Sequence, residues 1–289
     1  MEAVRSEQLR PGFHSVTMSA RDFRLFSRLI EGICGIKMPD AKKNMLESRL
    51  RKRLRYLGID SFRDYYDFVS GSEGERTEMI MMIDAVTTNK TDFFREPAHF
   101  AYLTEKVMPE LLGKMTPGQV RIWSAGCSSG EEPYTLAMVL SEYASTREYF
   151  NFSILATDIC TEVLEKAYRG IYEEDRIAPI SADLRKKYLL RSRDRNKGVV
   201  RLVPEVRSKI AFRRLNFLDS SYGLDETFQV IFCRNVLIYF DRPTQEKVLN
   251  NFCRHLQPGG HLFLGHSETI NGLEVPLVQV NSTIYRKPE

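Results

Sequence analysis

No apolar run in the 289 residues approaches the roughly 20 that a membrane-spanning helix needs. The opening stretch, MEAVRSEQLRPGFHS, lacks the apolar segment of a secretory signal. Cysteine is sparse: Cys34, Cys127, Cys160, Cys233 and Cys253 form no C-x-x-C pair, and their odd number fits poorly with a disulfide framework. Reduced thiols in a soluble cytoplasmic protein are the expectation. His99, His255, His261 and His266 show no H-x-x-x-H spacing with a third partner, so no metal site is expected. Internal repeats and low-complexity tracts are missing as well. Charge of one sign is also in short supply. Forty-two basic residues against 38 acidic ones leave a net +4, which does not favour a nucleic-acid partner. What is present, 43% hydrophobic and 28% charged residues, is ordinary globular composition, long enough for two domains without covalent staples.

Residues 1–17 have weak apolar periodicity and read as a flexible tail. Residues 18–88 carry helical spacing. Phe23, Phe26, Leu29, Ile30 and Ile33 form one stripe, stopped at Gly35. Asp40 is placed to cap a second helix, whose apolar face is Leu46, Leu50, Leu54 and Leu57 and which Gly58 ends. Two short helices are expected over Phe62–Val69 and Glu75–Val86. The texture then changes to strands alternating with helices over 89–289: Gln119–Ser124, Phe152–Thr157, Ile210–Leu215, Phe228–Cys233 and His261–Leu264, with helices over Glu131–Glu142, Glu162–Tyr168 and Pro243–Leu256. That alternation predicts a parallel sheet with crossovers. Leu277–Val280 and Thr283–Arg286 read as a terminal strand pair. A basic, turn-punctuated excursion over about 188–209 interrupts the order as a small antiparallel insertion.

The most informative unit is the strand, loop and helix from Ile122 to Tyr134. In open parallel sheets, ligands bind where such loops leave the carboxyl ends of strands. The loop matches neither G-x-G-x-x-G nor a phosphate loop. It runs into two acids, Glu131 and Glu132, which would repel a pyrophosphate but suit a ligand bearing ammonium and sulfonium charges. Gly126 and Gly130 admit two readings, a plain strand-to-helix turn or a backbone that lets a ligand approach closely. Asp158 ends the next strand, where it either caps the helix beginning near Thr161 or accepts hydrogen bonds from ribose hydroxyls. Together the two features favour a nucleoside site.

Five motifs in order resemble the CheR family of chemotaxis receptor methyltransferases. They are Thr87-Thr88-Asn89-Lys90-Thr91-Asp92-Phe93-Phe94-Arg95-Glu96, the run from Trp123 to Tyr134, Ala156-Thr157-Asp158-Ile159, the run from Phe232 to Phe240, and Gly265-His266-Ser267-Glu268. The resemblance extends from about Ser19 to the end of the sequence. It implies an α/β fold: a Rossmann-like class I methyltransferase domain with a small inserted antiparallel β-subdomain, preceded by an all-helical N-terminal domain. The cofactor it implies is S-adenosyl-L-methionine, leaving as S-adenosyl-L-homocysteine. Asn89, Thr91, Arg95, Gly126, Glu132, Asp158, Asn216, Phe217, Arg234 and Asn235 fall at the family's cofactor-binding positions. Arg95 and Tyr239 fall at its transfer site; without the family, Tyr239 is a half-buried aromatic at a sheet edge.

The implied reaction moves a methyl group from a sulfonium to a glutamate carboxylate. With a reference pKa of about 4.3, that nucleophile is ionised at neutral pH and needs no general base. Alignment then does the catalysis. Arg95 is expected to orient the incoming carboxylate through its planar fork, and Tyr239 to position it or border the methyl. Arg49, Arg51, Lys52, Arg53 and Arg55 gather on the second helix, where Arg51, Lys52 and Arg55 face away from the leucines. That face is a solvated helix surface or, as the resemblance implies, a docking surface for the acid-rich cytoplasmic helical domain of a methyl-accepting receptor. The inserted segment resembles the region that holds a receptor's C-terminal tether peptide in some members; a structural flap is the other reading. A monomer with no nucleic-acid partner and no membrane insertion is expected. Competing readings are a methyltransferase for RNA or a small molecule, and a cofactor-binding receptor module without turnover.

Overall fold

The computed structural model describes residues 16–71, 77–114 and 119–289, so most of the expected tail, and Glu75 of the fourth expected helix, lie outside the described residues. The chain divides into two compact units, the first ending at Thr87 and the second spanning Thr88–Glu289.

The first unit is helical. Helix α1 (Ala20–Cys34) starts where the Ser19 side chain accepts the Asp22 amide and ends at Gly35, whose φ of 73° is left-handed. Helix α2 (Lys43–Leu57) is entered through a 3-10 turn at Asp40–Lys42 and lacks a side-chain cap, so Asp40 does not cap it. The 3-10 turn itself leads the backbone into the helix, and Gly58 ends it with φ 70°. Helices α3 (Phe62–Ser70) and α4 (Glu78–Val86) complete the unit. Its core holds Phe23, Phe26, Ile30, Leu46, Leu50 and Leu54 from the expected stripes, joined by Tyr65, Val69 and Met82, while Leu29, Ile33 and Leu57 are half-buried at the stripe edges.

The second unit opens on a helical stretch that the sequence pattern did not assign: α5 (Ala98–Tyr102), a π-helical turn (Leu103–Val107) and α6 (Met108–Lys114). Strand β1 (Gln119–Ala125) leads to α7 (Glu131–Ser145), then β2 (Asn151–Asp158), α8 (Thr161–Arg169) and β3 (Ile171–Glu173). Helix α9 (Ala182–Tyr188), β4 (Leu189–Arg191), β5 (Val199–Leu202), α10 (Pro204–Arg207) and β6 (Ile210–Arg214) follow. The chain finishes with β7 (Phe228–Cys233), α11 (Arg242–His255), β8 (Leu256–Leu264), β9 (Val278–Asn281) and β10 (Ile284–Arg286).

Seven strands form one sheet in the order β6-β2-β1-β7-β8-β10-β9. Its first five strands are parallel; β10 runs antiparallel to both β8 and β9. From β1 the chain winds outward to β2 and β6, then crosses back to place β7 on the other side of β1. That reversal is the switch point at which α/β sheets bind ligands. All six residues of β7 are buried, as a central parallel strand requires. The other sheet is antiparallel, β3-β5-β4, with Tyr172 opposite Val200 and Leu190 opposite Arg201. It draws in Ile171–Glu173, upstream of the expected 188–209, because three residues are too few to show a period of two.

Candidate active site

Three side-chain networks converge on the carboxyl ends of β1, β2 and β7. The first is built around Asp158, the last residue of β2. One of its oxygens accepts the Ser128 amide at 2.8 Å and the other the Cys160 amide at 3.0 Å. Thus Asp158 does serve the turn into α8, and it also holds the glycine loop. Ser128, at a left-handed φ of 50°, turns its hydroxyl to the Asn89 carbonyl at 2.8 Å, bringing the first family motif onto this loop. Asn216 lies two residues past β6, next to Leu215, whose amide donates to the Asp158 carbonyl at 2.9 Å. Its side chain accepts the Leu218 amide at 3.1 Å.

The second network is centred on Arg234, whose side chain is 2% exposed. Its Nε donates to Glu96 at 3.3 Å, its guanidinium stands 3.4 Å from Glu132, and a further donor reaches the Arg95 carbonyl. Glu132 also accepts the Ser124 hydroxyl at 2.7 Å. Burial raises the Glu132 pKa, although Arg234 and Ser124 pull against it. Burial alone would raise Glu96 too, but Arg234, the His266 amide and the neighbouring imidazoles outweigh it and hold Glu96 below the ordinary range. Arg234 is therefore a strut between two carboxylates. The half-buried Arg95 donates to the Lys90 carbonyl at 3.1 Å and helps lower Glu132.

Glu268, 5% exposed, supports the third network. It accepts the amides of Asn235 at 2.8 Å, Gly265 at 2.7 Å and Ile238 at 3.3 Å. Burial raises its pKa against those donors. The effect is to pin Asn235 in a left-handed conformation, φ 59°, which asparagine tolerates. A Cβ on Gly265 would fall 2.5 Å from the Asn235 Nδ2, so only glycine leaves space for that amide. The Asn235 Oδ1 is buried without a hydrogen-bond partner among the described residues. Such an acceptor is rare and normally satisfied. Tyr239 follows at the end of a 3-10 turn, half-buried.

Two expectations change character in the structure. Gly126 has φ +84°, and a Cβ there would stand 2.4 Å from the Val236 Cγ2, so the glycine is demanded by protein packing across the switch point. Phe217, 7% exposed, turns its ring into the core against Phe252, with centroids 5.2 Å apart, and against Trp123 and Tyr222. Arg176 was not foreseen. It donates to the Thr91 carbonyl at 2.6 Å, pairs with Glu131 at 2.8 Å and meets Asp92 at 3.2 Å, tying the first motif to the start of α7. Its partners are 45 and 85 positions away, beyond any local pattern.

Residues 89–286 match the family described as CheR methyltransferase, SAM binding domain, and residues 21–87 match CheR methyltransferase, all-alpha domain. The chain belongs to the CheR methyltransferase family. Similar proteins include the chemotaxis protein methyltransferase of Borreliella burgdorferi, 42% identical over 85% of this chain and 88% of that protein. The chemotaxis protein methyltransferase of Escherichia coli is 37% identical over 93% of this chain and 92% of its own length. The cofactor of this CheR chain is S-adenosylmethionine, as the matched domain states. The residues fit it: a largely buried Glu132 and an Asn235 Oδ1 with no hydrogen-bond partner among the described residues suit a cationic end that donates hydrogen bonds, and Asp158 brings a carboxylate to the end of β2 for a diol.

The basic residues of α2 divide in two. Arg49 donates to the Val86 and Thr87 carbonyls at 2.8 and 2.6 Å, completing the end of α4. Arg53 grips Glu78 with two donors at 2.9 and 2.6 Å, and Tyr65 donates to the same carboxylate at 2.8 Å. Arg51 pairs with Glu47 on its own helix, and only Lys52 and Arg55 are fully exposed. Among the described residues, no helix is long and apolar enough to cross a membrane.

Proposed function

We propose that the chain methylates glutamate side-chain carboxylates on chemotaxis receptors, with S-adenosylmethionine as methyl donor and glutamate methyl esters as products. When bound, the cofactor supplies an electrophilic methyl on a sulfonium. Glu132 and the Asn235 Oδ1 draw its cationic end, with Arg234 keeping Glu132 in place. Asp158 takes the ribose, and Asn89, Thr91, Asn216 and Phe217 frame the rest of the nucleoside. The buried acceptor on Asn235, with no hydrogen-bond partner among the described residues, carries this reading.

Arg95 is the group that orients the incoming glutamate. Its backbone carbonyl is anchored by Arg234, while its side chain donates to the Lys90 carbonyl, an attachment it can exchange for a carboxylate. Tyr239 borders the transfer site. The acceptor carboxylate is already charged at neutral pH, so no base is needed and approach geometry sets the rate. The exposed part of α2 (Lys52 and Arg55, with Arg51 beside them) docks the acidic receptor segment, and the β3-β5-β4 sheet takes a receptor tether by strand addition.

The test is incubation of receptor-containing membranes with tritiated cofactor. Volatile methanol released by alkali, and a mass increment on glutamate in receptor peptides, are expected. Label that resists alkali, as N-methyl groups do, would move the substrate to another class.

A further inference from the structure

Glu96, His99 and His266 lie together beside Arg234, although Glu96 and His266 are 170 positions apart. His99, 3% exposed, places its Nε2 3.0 Å from the Thr283 hydroxyl. That hydroxyl donates its one proton to the Ser282 carbonyl at 2.8 Å, so it must accept from the imidazole. We therefore assign the proton of His99 to Nε2. The lone pair on Nδ1 is then bare. It is buried, has no hydrogen-bond partner, and stands 3.5 Å from the Glu96 Oε2. The same oxygen is 3.8 Å from the Nε2 of His266.

Three electron-pair donors thus face one another within 4.8 Å. Arg234 directs donors at Glu96, the Arg95 carbonyl and Glu132. A buried imidazole lone pair against a carboxylate is unfavourable unless a cation lies between them.

We propose that Glu96, His99 and His266 bind a divalent transition-metal ion of the zinc class. The ligand set is one carboxylate oxygen and two imidazole nitrogens, completed by solvent. Zinc takes such ligands at about 2.0–2.2 Å in a tetrahedron, which sets ligand-to-ligand distances near 3.4 Å. Both distances to Glu96 already lie close to that value. The remaining gap closes through His266, whose side chain is 61% exposed and free to swing. The outer contacts are also those of a metal site. Arg234 and the His266 amide support the carboxylate, and Thr283 fixes the His99 tautomer. Magnesium and calcium, which prefer oxygen ligands, would be rejected. The ion would clamp the turn at Glu96 to the turn at His266, and it is not required by the proposed methyl transfer.

The experiment uses tag-free full-length chain titrated with cobalt(II), then zinc(II), followed by visible absorption and calorimetry. One cobalt per chain is expected, with ligand-field bands, without thiolate charge-transfer absorption, and displaced by zinc. His266→Ala alters an exposed side chain and should weaken binding at least about tenfold, with the far-UV circular dichroism unchanged. Glu96→Gln should do the same. Failure to take up cobalt, thiolate bands, or equal affinity in both variants would overturn the proposal. Since the readout is spectroscopic, a failure of receptor methylation leaves it standing, and the reverse also holds.

Discussion

Gly126→Ala separates two reasons for a glycine at the end of β1. The added Cβ would lie 2.4 Å from the Val236 Cγ2, more than about 1 Å inside the usual carbon–carbon separation of about 3.5–4.0 Å. The backbone φ of +84° adds a second penalty. A left-handed conformation costs an L-residue roughly 1–2 kcal/mol, and overpacking a tight contact about 1–3 kcal/mol. Together these predict a loss of about 2–5 kcal/mol in folding stability. Val236→Ala alone, at a half-buried site, should cost about 1 kcal/mol. In the double variant the collision disappears and only the backbone penalty remains, so the total falls to about 2–3 kcal/mol. The coupling is then about 1–3 kcal/mol in favour of the pair, well above the few tenths expected of independent sites.

Urea unfolding of the four proteins measures that cycle, and calorimetry with S-adenosylhomocysteine reads the site. If the glycine serves protein packing, adding Val236→Ala to Gly126→Ala should cost no further stability and should return the ligand heat. The reasoning is refuted by additive stabilities, or by a Gly126→Ala protein as stable as the parent that has lost only its ligand heat. The latter result would return the glycine to its other role, admitting the ligand.

Three further outcomes follow from the same networks. Because burial raises the Glu132 pKa, its charge is lost on acidification earlier than that of an exposed glutamate. S-adenosylhomocysteine affinity should fall as pH drops through that window, and Glu132→Gln should be weak and flat with pH; affinity unchanged from neutral pH to below pH 5 in the parent would contradict it. The stability effect has the opposite sign, since the folded chain takes up this proton before the unfolded one does. Arg176→Ala removes a pair to the buried Glu131 and a bond to the Thr91 carbonyl, at about 1–2 kcal/mol after allowing for its exposure. Ligand affinity should drop roughly 5- to 30-fold with faster amide exchange over residues 89–95, and an unchanged exchange profile would exclude the positioning role. Arg53→Ala strands the 7%-exposed Glu78 side chain and should cost about 2–4 kcal/mol in urea, whereas Arg55→Ala, fully exposed, should stay within about 0.5 kcal/mol and slow receptor methylation at low salt. Equal stabilities would erase the division of the basic helix into buried and exposed halves.

That division shows where sequence reading stops. Helical spacing places Arg51, Lys52 and Arg55 opposite the leucines because the period of 3.6 is local. It says nothing of Arg49 and Arg53, whose partners, the end of α4 and Glu78, arrive from another helix. The strand ends behave likewise. β1, the glycine loop, α7 and Asp158 are legible because each is a short continuous pattern. Arg234 is visible as a letter of the fourth motif, but its work as a strut is not, since its partners are 138 positions before it at Glu96 and far upstream at Glu132. Glu268 is visible as a motif letter, yet its work, holding the Asn235 amide, depends on β7 and β8 being neighbours.

What reads most clearly is thus local pattern, and what goes unread is the set of long-range pairings that hold those patterns still. Preorganisation requires that asymmetry: a methyl transfer that needs no base depends on fixed approach geometry, and geometry is fixed by buried pairings across the sheet. Arg234, Arg176 and Glu268 should therefore be as sensitive to substitution as the groups they position, even where they touch neither cofactor nor receptor.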